Sequence, residues 1–177
     1  MAINGNDILA TIRQNREKGF RLLVSCYKKP VYWHIRRLVV NHDDALDATQ
    51  EAFVRIFRSL EKYNGEGTFS AWIYRIANNE ALRMLDRNKN RVFQSLDETA
   101  NDFKADQYID YSDVEAVKLQ RAIHMLPPKQ QAVFNLRYYD EMSYDEIAEV
   151  TGSTANAAKS NYHQAKEKIV EYLKSND

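Results

Sequence analysis

The sequence has few features that favour disulfide bonds, β-strands or insertion into a membrane. Its 177 residues include one cysteine, five glycines and three prolines. Cys26, the single cysteine, has no intrachain disulfide partner, and its apolar helical surroundings favour a buried small residue over a reactive thiol. There is no N-terminal apolar core of the signal-peptide type and no apolar run long enough to span a bilayer. These absences predict a cytoplasmic protein without membrane insertion.

Catalytic and cofactor patterns are missing as well. The sequence has no glycine-rich phosphate loop, no zinc-type cluster of cysteine and histidine, and no G-x-S-x-G elbow. The four histidines are scattered along the chain. We therefore predict a binding protein and not an enzyme, with no catalytic residue, no metal ligand and no cofactor.

Helical periodicity runs through almost the whole chain and predicts an all-α fold. The net charge is zero, but residues 13–91 carry 16 basic and 9 acidic side chains, whereas residues 92–115 carry one basic and seven acidic. Such segregation indicates different partners for different segments. The acidic stretch has few apolar residues and predicts a linker extended by self-repulsion. Two small helical domains, 1–91 and 116–177, are thus expected on either side of a flexible acidic linker, 92–115.

Residues 143–173 have the pattern of a helix-turn-helix. Ser143 and Glu146 form an S-x-x-E capping box, which begins the first helix. Gly152 suits the left-handed residue that ends it, and Ser153 or Thr154 can cap the second helix. The second helix is apolar on one side and carries small polar groups on the other, which suits the major groove of DNA. A solvated helical hairpin is the alternative.

Two helices of the first domain carry a patterned polar face. On residues 44–62 that face holds acids, an amide and an arginine, and it predicts either a solvated surface or a docking surface for a basic partner. On residues 69–88 it holds Trp72, Arg75, Asn79, Arg83 and Asp86. An aromatic ring beside arginine can stack on unpaired bases and meet phosphates, although Trp72 packing at the helix edge is an equal alternative.

Three stretches, in this order and around the acidic segment, resemble a known family. They are DALDATQEAFVRIF at 44–57, FSAWIYRIANNEAL at 69–82 and LPPKQQAVFNLRYYDEMSYDEIAEVTG at 126–152. The resemblance is to the group IV, or extracytoplasmic-function (ECF), sigma factors of bacterial RNA polymerase. It implies a sigma-two helical bundle and a sigma-four helix-turn-helix domain. It also implies a factor that binds core RNA polymerase, directs it to specific promoters and promotes promoter opening.

The resemblance implies the partners of each surface. Core polymerase would be bound through the clamp helices of its largest subunit and the flap of its second-largest. Contact with the clamp helices would use Asp47, Gln50, Glu51, Val54 and Arg58. Promoter DNA would be bound single-stranded at the minus-ten element by Asn64, Gly65, Thr68, Phe69, Trp72, Arg75, Asn78, Asn79, Arg83 and Arg87. It would be bound as duplex at the minus-thirty-five element by Thr154, Asn156, Lys159, Ser160, Asn161, His163, Gln164 and Lys166.

At four positions the chain departs from the usual pattern of the family. Asn161 and Gln164 stand where arginines are frequent, and Arg83 and Asp86 stand where an acid and an arginine, respectively, are common. Amides favour adenine edges where arginine favours guanine, so the base preference is expected to differ. Many members of the family are held by a membrane-linked anti-sigma factor, and such a partner stays open here, as do the promoter consensus and the inducing signal. An ordinary dimeric helix-turn-helix repressor or activator is the rival interpretation.

Overall fold

The computed structural model describes residues 3–92 and 113–176, and every regular element in these ranges is helical. Most of the predicted acidic linker, residues 93–112, lies outside them. The elements in chain order are α1 Gly5–Gln14, α2 Arg16–Leu38, α3 His42–Ser59, a 3-10 turn Leu60–Lys62, α4 Phe69–Val92, α5 Val114–His124, α6 Pro128–Tyr138, α7 Tyr144–Thr151 and α8 Ala155–Ser175. The all-α prediction is confirmed for the described residues.

The first four helices pack around one apolar core. Leu23, Ile35, Ile56 and Ile73 lie at its centre with no exposed surface. Helix α1 begins at a capping box formed by Asn4 and Asp7. Helix α2 continues through Pro30 as a single element.

The second domain begins and ends its helices as the sequence predicts. Pro128 occupies the first turn of α6, where its missing N–H costs nothing. Ser143 and Glu146 form the complete capping box of α7, and Gly152 ends that helix with a φ of 66°. Thr154 caps α8, because its Oγ1 accepts a hydrogen bond from the backbone N–H of Ala157 at 3.1 Å.

The two domains pack against each other. Helix α7 lies along α4, and α6 contacts α2. Tyr74 of α4 is 5% exposed and shares an apolar cluster with Leu136, Ile147 and Val150 of the second domain. The molecule is therefore closed, with the helix-turn-helix lying on the helix that carries the predicted minus-ten face.

Candidate nucleic-acid and polymerase interfaces

The loop before α4 is held by local hydrogen bonds. The Oδ1 atom of Asn64 accepts from the backbone N–H of Glu66 at 3.0 Å. The Oγ1 atom of Thr68 accepts from the backbone N–H of Ala71 at 3.1 Å and so caps α4. Gly67 has a φ of 68°, in the region that favours glycine. Residues 64–68 are all exposed, and the loop thus presents backbone and small polar groups at the helix start.

Trp72 is anchored in an aromatic cluster. Its ring stacks on Phe69 with the centroids 5.8 Å apart and an interplanar angle of 14°, and Tyr63 packs against it at 5.4 Å. Trp72 is half-buried, whereas Phe69 is only 6% exposed. Of the two alternatives for Trp72, the structure gives packing at the helix edge with part of the ring accessible. Phe69, which the sequence assigns to the minus-ten site, is buried in the core of the first domain.

The predicted minus-ten face on α4 divides into exposed and buried members. Arg75, Asn79, Arg83 and Arg87 are exposed along one side of the helix. Asn78 is different, because only 2% of it is exposed and its Oδ1 atom lies 3.1 Å from the Nε2 atom of a buried histidine on α2. As placed, Asn78 joins α4 to α2 and does not face solvent.

Arg83 has a structural partner that sequence reasoning missed. Glu80 of α4 is 1% exposed, and its Oε1 atom accepts from the Nη1 atom of Arg83 at 2.5 Å and from the Nε atom of Arg55 on α3. The two arginine side chains are 50% and 48% exposed. One buried carboxylate thus fixes two guanidinium groups at the surface between α3 and α4. The spacing of Glu80 and Arg83 is the one sequence signal for this pair.

The predicted polymerase-docking face on α3 is exposed to solvent. All five of its members are exposed: Asp47, Gln50, Glu51, Val54 and Arg58. Two large apolar side chains that were not assigned to this face are also open to solvent, Leu46 at 39% and Phe57 at 38%. The face therefore combines acids, an amide and an arginine with accessible apolar surface.

The second helix of the helix-turn-helix also keeps most of its predicted face open. The exposed members are Thr154, Asn156, Lys159, Ser160, His163, Gln164 and Lys166, and Asn161 is half-buried. Ala158 and Ala165 on the opposite side have no exposed surface and pack into the domain. Gln164 is partly engaged, since its Oε1 atom accepts from the side chain of Gln130 at 3.0 Å.

Aromatic side chains pack α8 against its domain. Tyr162 stacks on Phe134 of α6 with the centroids 5.7 Å apart, and burial raises the pKa of its hydroxyl. The ammonium group of Lys166 lies over the Tyr162 ring, 5.5 Å from its centroid. Tyr162 thus fixes the middle of α8 against its domain, and Lys166 is held beside the polar face.

No group of histidine, cysteine or acidic side chains suitable for a metal ion occurs among residues 3–92 and 113–176. Within the same part of the chain, no helix combines the length and the apolar character needed to cross a membrane.

A basic helical domain joined to a helix-turn-helix domain defines a DNA-binding protein, and comparison with known proteins specifies the class. Residues 23–91 match the family Sigma-70 region 2, and residues 116–169 match Sigma-70 region 4. The ECF RNA polymerase sigma-E factor of Haemophilus influenzae is 31% identical over 173 residues, which cover 92% of this chain and 91% of that protein. The chain belongs to the ECF sigma factors, the initiation factors that direct RNA polymerase to specific promoters.

Two solved structures show the same fold. The structure of CnrH in complex with the cytosolic domain of CnrY superposes with a TM-score of 0.73 at 18% identity, covering 96% of this chain and 97% of that one. The sigma factor RpoE of Bartonella quintana, in complex with the anti-sigma factor NepR, superposes with a TM-score of 0.69 at 20% identity. That match covers 89% of this chain and 98% of RpoE.

Proposed function

We propose that the chain divides the work of a sigma factor among three surfaces. Residues 1–91 bind core polymerase and the minus-ten element, residues 116–177 read the minus-thirty-five element, and the acidic segment 92–115 connects them. The single observation that supports this most strongly is the row of exposed polar and basic groups on α8, opposite its buried alanines. A helix fixed on one side and polar on the other can enter the major groove without losing its packing.

On the first domain, the exposed face of α3 docks on the clamp helices of the largest polymerase subunit. The loop 63–70 and the exposed part of α4 then bind the non-template strand as it opens. Arg75, Asn79 and Arg87 meet phosphates and bases directly, and the accessible edge of Trp72 stacks on an unpaired base. Phe69 and Asn78 contribute by packing, because both are buried. Melting is driven by binding the unpaired bases, which offsets an unstacking cost of a few kcal/mol per base step.

Neither domain alone carries enough surface for specific promoter binding. Holding both on one polymerase makes the second DNA contact effectively intramolecular, which raises its local concentration. The protein accordingly works in the cytoplasm, where bacterial RNA polymerase and DNA are found. An anti-sigma factor is a further proposed partner, since the similar structure of RpoE was solved with the anti-sigma factor NepR.

The test is run-off transcription with core polymerase on a randomised promoter library. We expect the full chain to select promoters with both an upstream and a downstream element. Lys159→Ala should reduce transcription from these promoters by about tenfold, the effect of losing one good contact to DNA. Lys174→Ala is the matched control, because Lys174 is an exposed lysine on the same helix but in its last turn.

Two outcomes would contradict the proposal. A chain that binds promoter duplex but never loads onto core polymerase would be an ordinary helix-turn-helix regulator. Equal activity of the Lys159→Ala and Lys174→Ala variants on every selected promoter would mean that the exposed face of α8 does not read the upstream element.

A further inference from the structure

Gln164 lies on the exposed side of α8 that is proposed to read the minus-thirty-five element, and its side-chain amide is already bound at one end. The Oε1 atom accepts a hydrogen bond from the Nε2 atom of Gln130 on α6 at 3.0 Å. Within the residues that the structure describes, nothing accepts from the Nε2 atom of Gln164. The amide oxygen therefore faces α6, and both N–H hydrogens of Nε2 remain available to a ligand.

Gln130 is bound at its other end by a lysine on α8. The Nζ atom of Lys168 donates to the Oε1 atom of Gln130 at 2.9 Å. Lys168 follows Gln164 by four residues, which places the two side chains on one side of the helix and one turn apart. Three side chains thus form one chain of hydrogen bonds, from Lys168 to Gln130 to Gln164, which we call the amide relay.

The lysine fixes the direction of the amide relay. An ammonium group has three donors and no acceptor, so the Gln130 atom that faces it has to be the oxygen. Gln130 therefore turns its N–H groups toward Gln164, which has to accept with its own oxygen. Reversing Gln130 would set an N–H group against the ammonium group and lose a charge-assisted hydrogen bond. Only one orientation of the two amides satisfies both bonds of the relay.

Packing of α6 on α8 holds the two ends of the relay at a fixed separation. Gln130 is half-buried in the first turn of α6. One turn further, Phe134 is 4% exposed and stacks on Tyr162 of α8. Ala165, the neighbour of Gln164, has no exposed surface. Because both backbones are fixed, the relay joins side chains that start from set positions.

The orientation of the Gln164 amide decides which base edge it matches. A carbonyl oxygen has two lone pairs, so Oε1 keeps one for DNA beside the free N–H groups. An acceptor next to a donor is complementary to adenine, whose major-groove edge offers the N6 amino group next to the acceptor N7. Guanine offers two acceptors, and its O6 atom would face the Gln164 oxygen. A freely turning amide could avoid this repulsion by presenting N–H groups alone, but the relay opposes that turn.

We propose that Gln130 and Lys168 are positioning residues for promoter specificity: they hold the Gln164 amide in the orientation that reads adenine and rejects guanine in the minus-thirty-five element. The inference rests on the proposed function of α8 and adds the base that Gln164 selects. Neither positioning residue has to touch a base. Lys168 acts through Gln130, and Gln130 acts through Gln164.

The test measures base frequencies at each upstream position in promoters that core polymerase with the full chain selects from a randomised library. Gln164→Ala identifies the position that Gln164 reads, because the base preference is lost there. At this position we expect the unaltered chain to favour adenine over guanine by about tenfold, the effect of one bidentate contact. Lys168→Met keeps the length of the side chain but removes the donor. It should lower that ratio severalfold, to about 1 at the limit, since the freed amides can turn.

A change at Gln130 reverses the relay with almost no change of shape. In Gln130→Glu both carboxylate oxygens accept, one from Lys168 and the other from Gln164, which then has to turn its N–H groups toward α6. We expect adenine to lose its advantage over guanine at the same position. Lys129→Gln is the matched control, because it changes the charge by the same amount at an exposed neighbour outside the relay. Circular dichroism shows whether each variant keeps its helix content.

A role in packing or in general charge attraction gives a different result from a role in specificity. Loss of a phosphate contact weakens binding about equally on all sequences, whereas loss of a positioning residue changes the preference at one position. The proposal is overturned if Lys168→Met and Gln130→Glu, both folded, keep the adenine preference of the unaltered chain. It is equally overturned if the unaltered chain prefers guanine at the position that Gln164→Ala identifies.

The same selection keeps this inference apart from the proposed function. If Gln164→Ala changes no position while Lys159→Ala still alters upstream selection, the inference fails and the proposed function of α8 stands. Failure of the unaltered chain to start transcription with core polymerase contradicts the proposed function, and this inference with it.

Discussion

Substitution of Glu80 tests how the surface of the first domain is built. This carboxylate is 1% exposed and binds Arg55 and Arg83, which are each about half exposed. Removing one member of a buried ion pair costs about 3 to 5 kcal/mol when both partners are buried. The arginines here regain hydration, so we expect Glu80→Gln to lower the free energy of unfolding by about 2 to 3 kcal/mol. Arg83→Ala should cost about 1 kcal/mol or less, because Arg55 still pairs with Glu80.

The measurement is urea unfolding monitored by circular dichroism. The dependence of the unfolding free energy on urea concentration is compared among the variants. The double variant Glu80→Gln/Arg83→Ala should lose less unfolding free energy than the sum of the two single variants, because Arg83 no longer pairs with a buried charge once Glu80 is replaced by a neutral residue. Glu66→Gln, at an exposed loop position, is the control. If Glu80→Gln destabilised the protein no more than Glu66→Gln, the buried pair would not support this surface. Any DNA-binding defect of Arg83→Ala should be interpreted against this stability change.

Three further predictions concern Trp72, His124 and the two glycines of the loop before α4. Trp72→Ala should weaken permanganate footprints of opened promoters by about tenfold while core binding is kept, because one stacked base loses its partner; a footprint of unaltered intensity would refute this role. Burial lowers the pKa of His124 to about 4, so the folded state holds a neutral ring while the unfolded chain binds a proton below about pH 6.5. The free energy of unfolding should therefore fall by up to about 3 kcal/mol as the pH falls from about 6.5 to about 4. In the His124→Gln variant, the midpoint of urea unfolding should depend less on pH across that range. Gly65→Ala should cost about 1 kcal/mol from its positive φ alone, since its added Cβ meets nothing within 4 Å. Gly67→Ala should cost about 1 kcal/mol more, because its added Cβ would lie 2.3 Å from the Oε2 atom of Glu149 on α7 and displace that carboxylate. Urea unfolding should show this excess disappear in a Glu149→Ala background.

Local features of the fold were predictable because they depend on neighbours in sequence. Ser143, Gly152 and Thr154 end or begin helices through bonds within four residues, and the chain alone identifies them. The buried stripe of α8 follows in the same way from three- and four-residue steps, as Ala158 and Ala165 show. Contacts between residues that are close in the chain can thus be predicted from local sequence patterns.

The exposure of residues on the predicted minus-ten face was less predictable, because α4 is covered on several sides. Its apolar residues do not form one narrow stripe, and a helical wheel cannot decide which remaining positions face solvent. Asn78 has the same residue type as its exposed neighbour Asn79, yet it is buried against His34 of α2. Glu80 resembles a solvated acid in the sequence and is fixed by Arg55 from another helix. Both assignments depend on a residue of another helix, 44 positions away for Asn78 and 25 positions away for Glu80, and periodicity does not contain such contacts.

The contact between the two domains contains polar groups that the sequence does not reveal. Asp140 resembles an acid at a helix start in the sequence, but its side chain meets Tyr74, His34 and Arg37 of the other domain. Such buried polar contacts specify an arrangement more than they stabilise it, because each group loses hydration when it is buried.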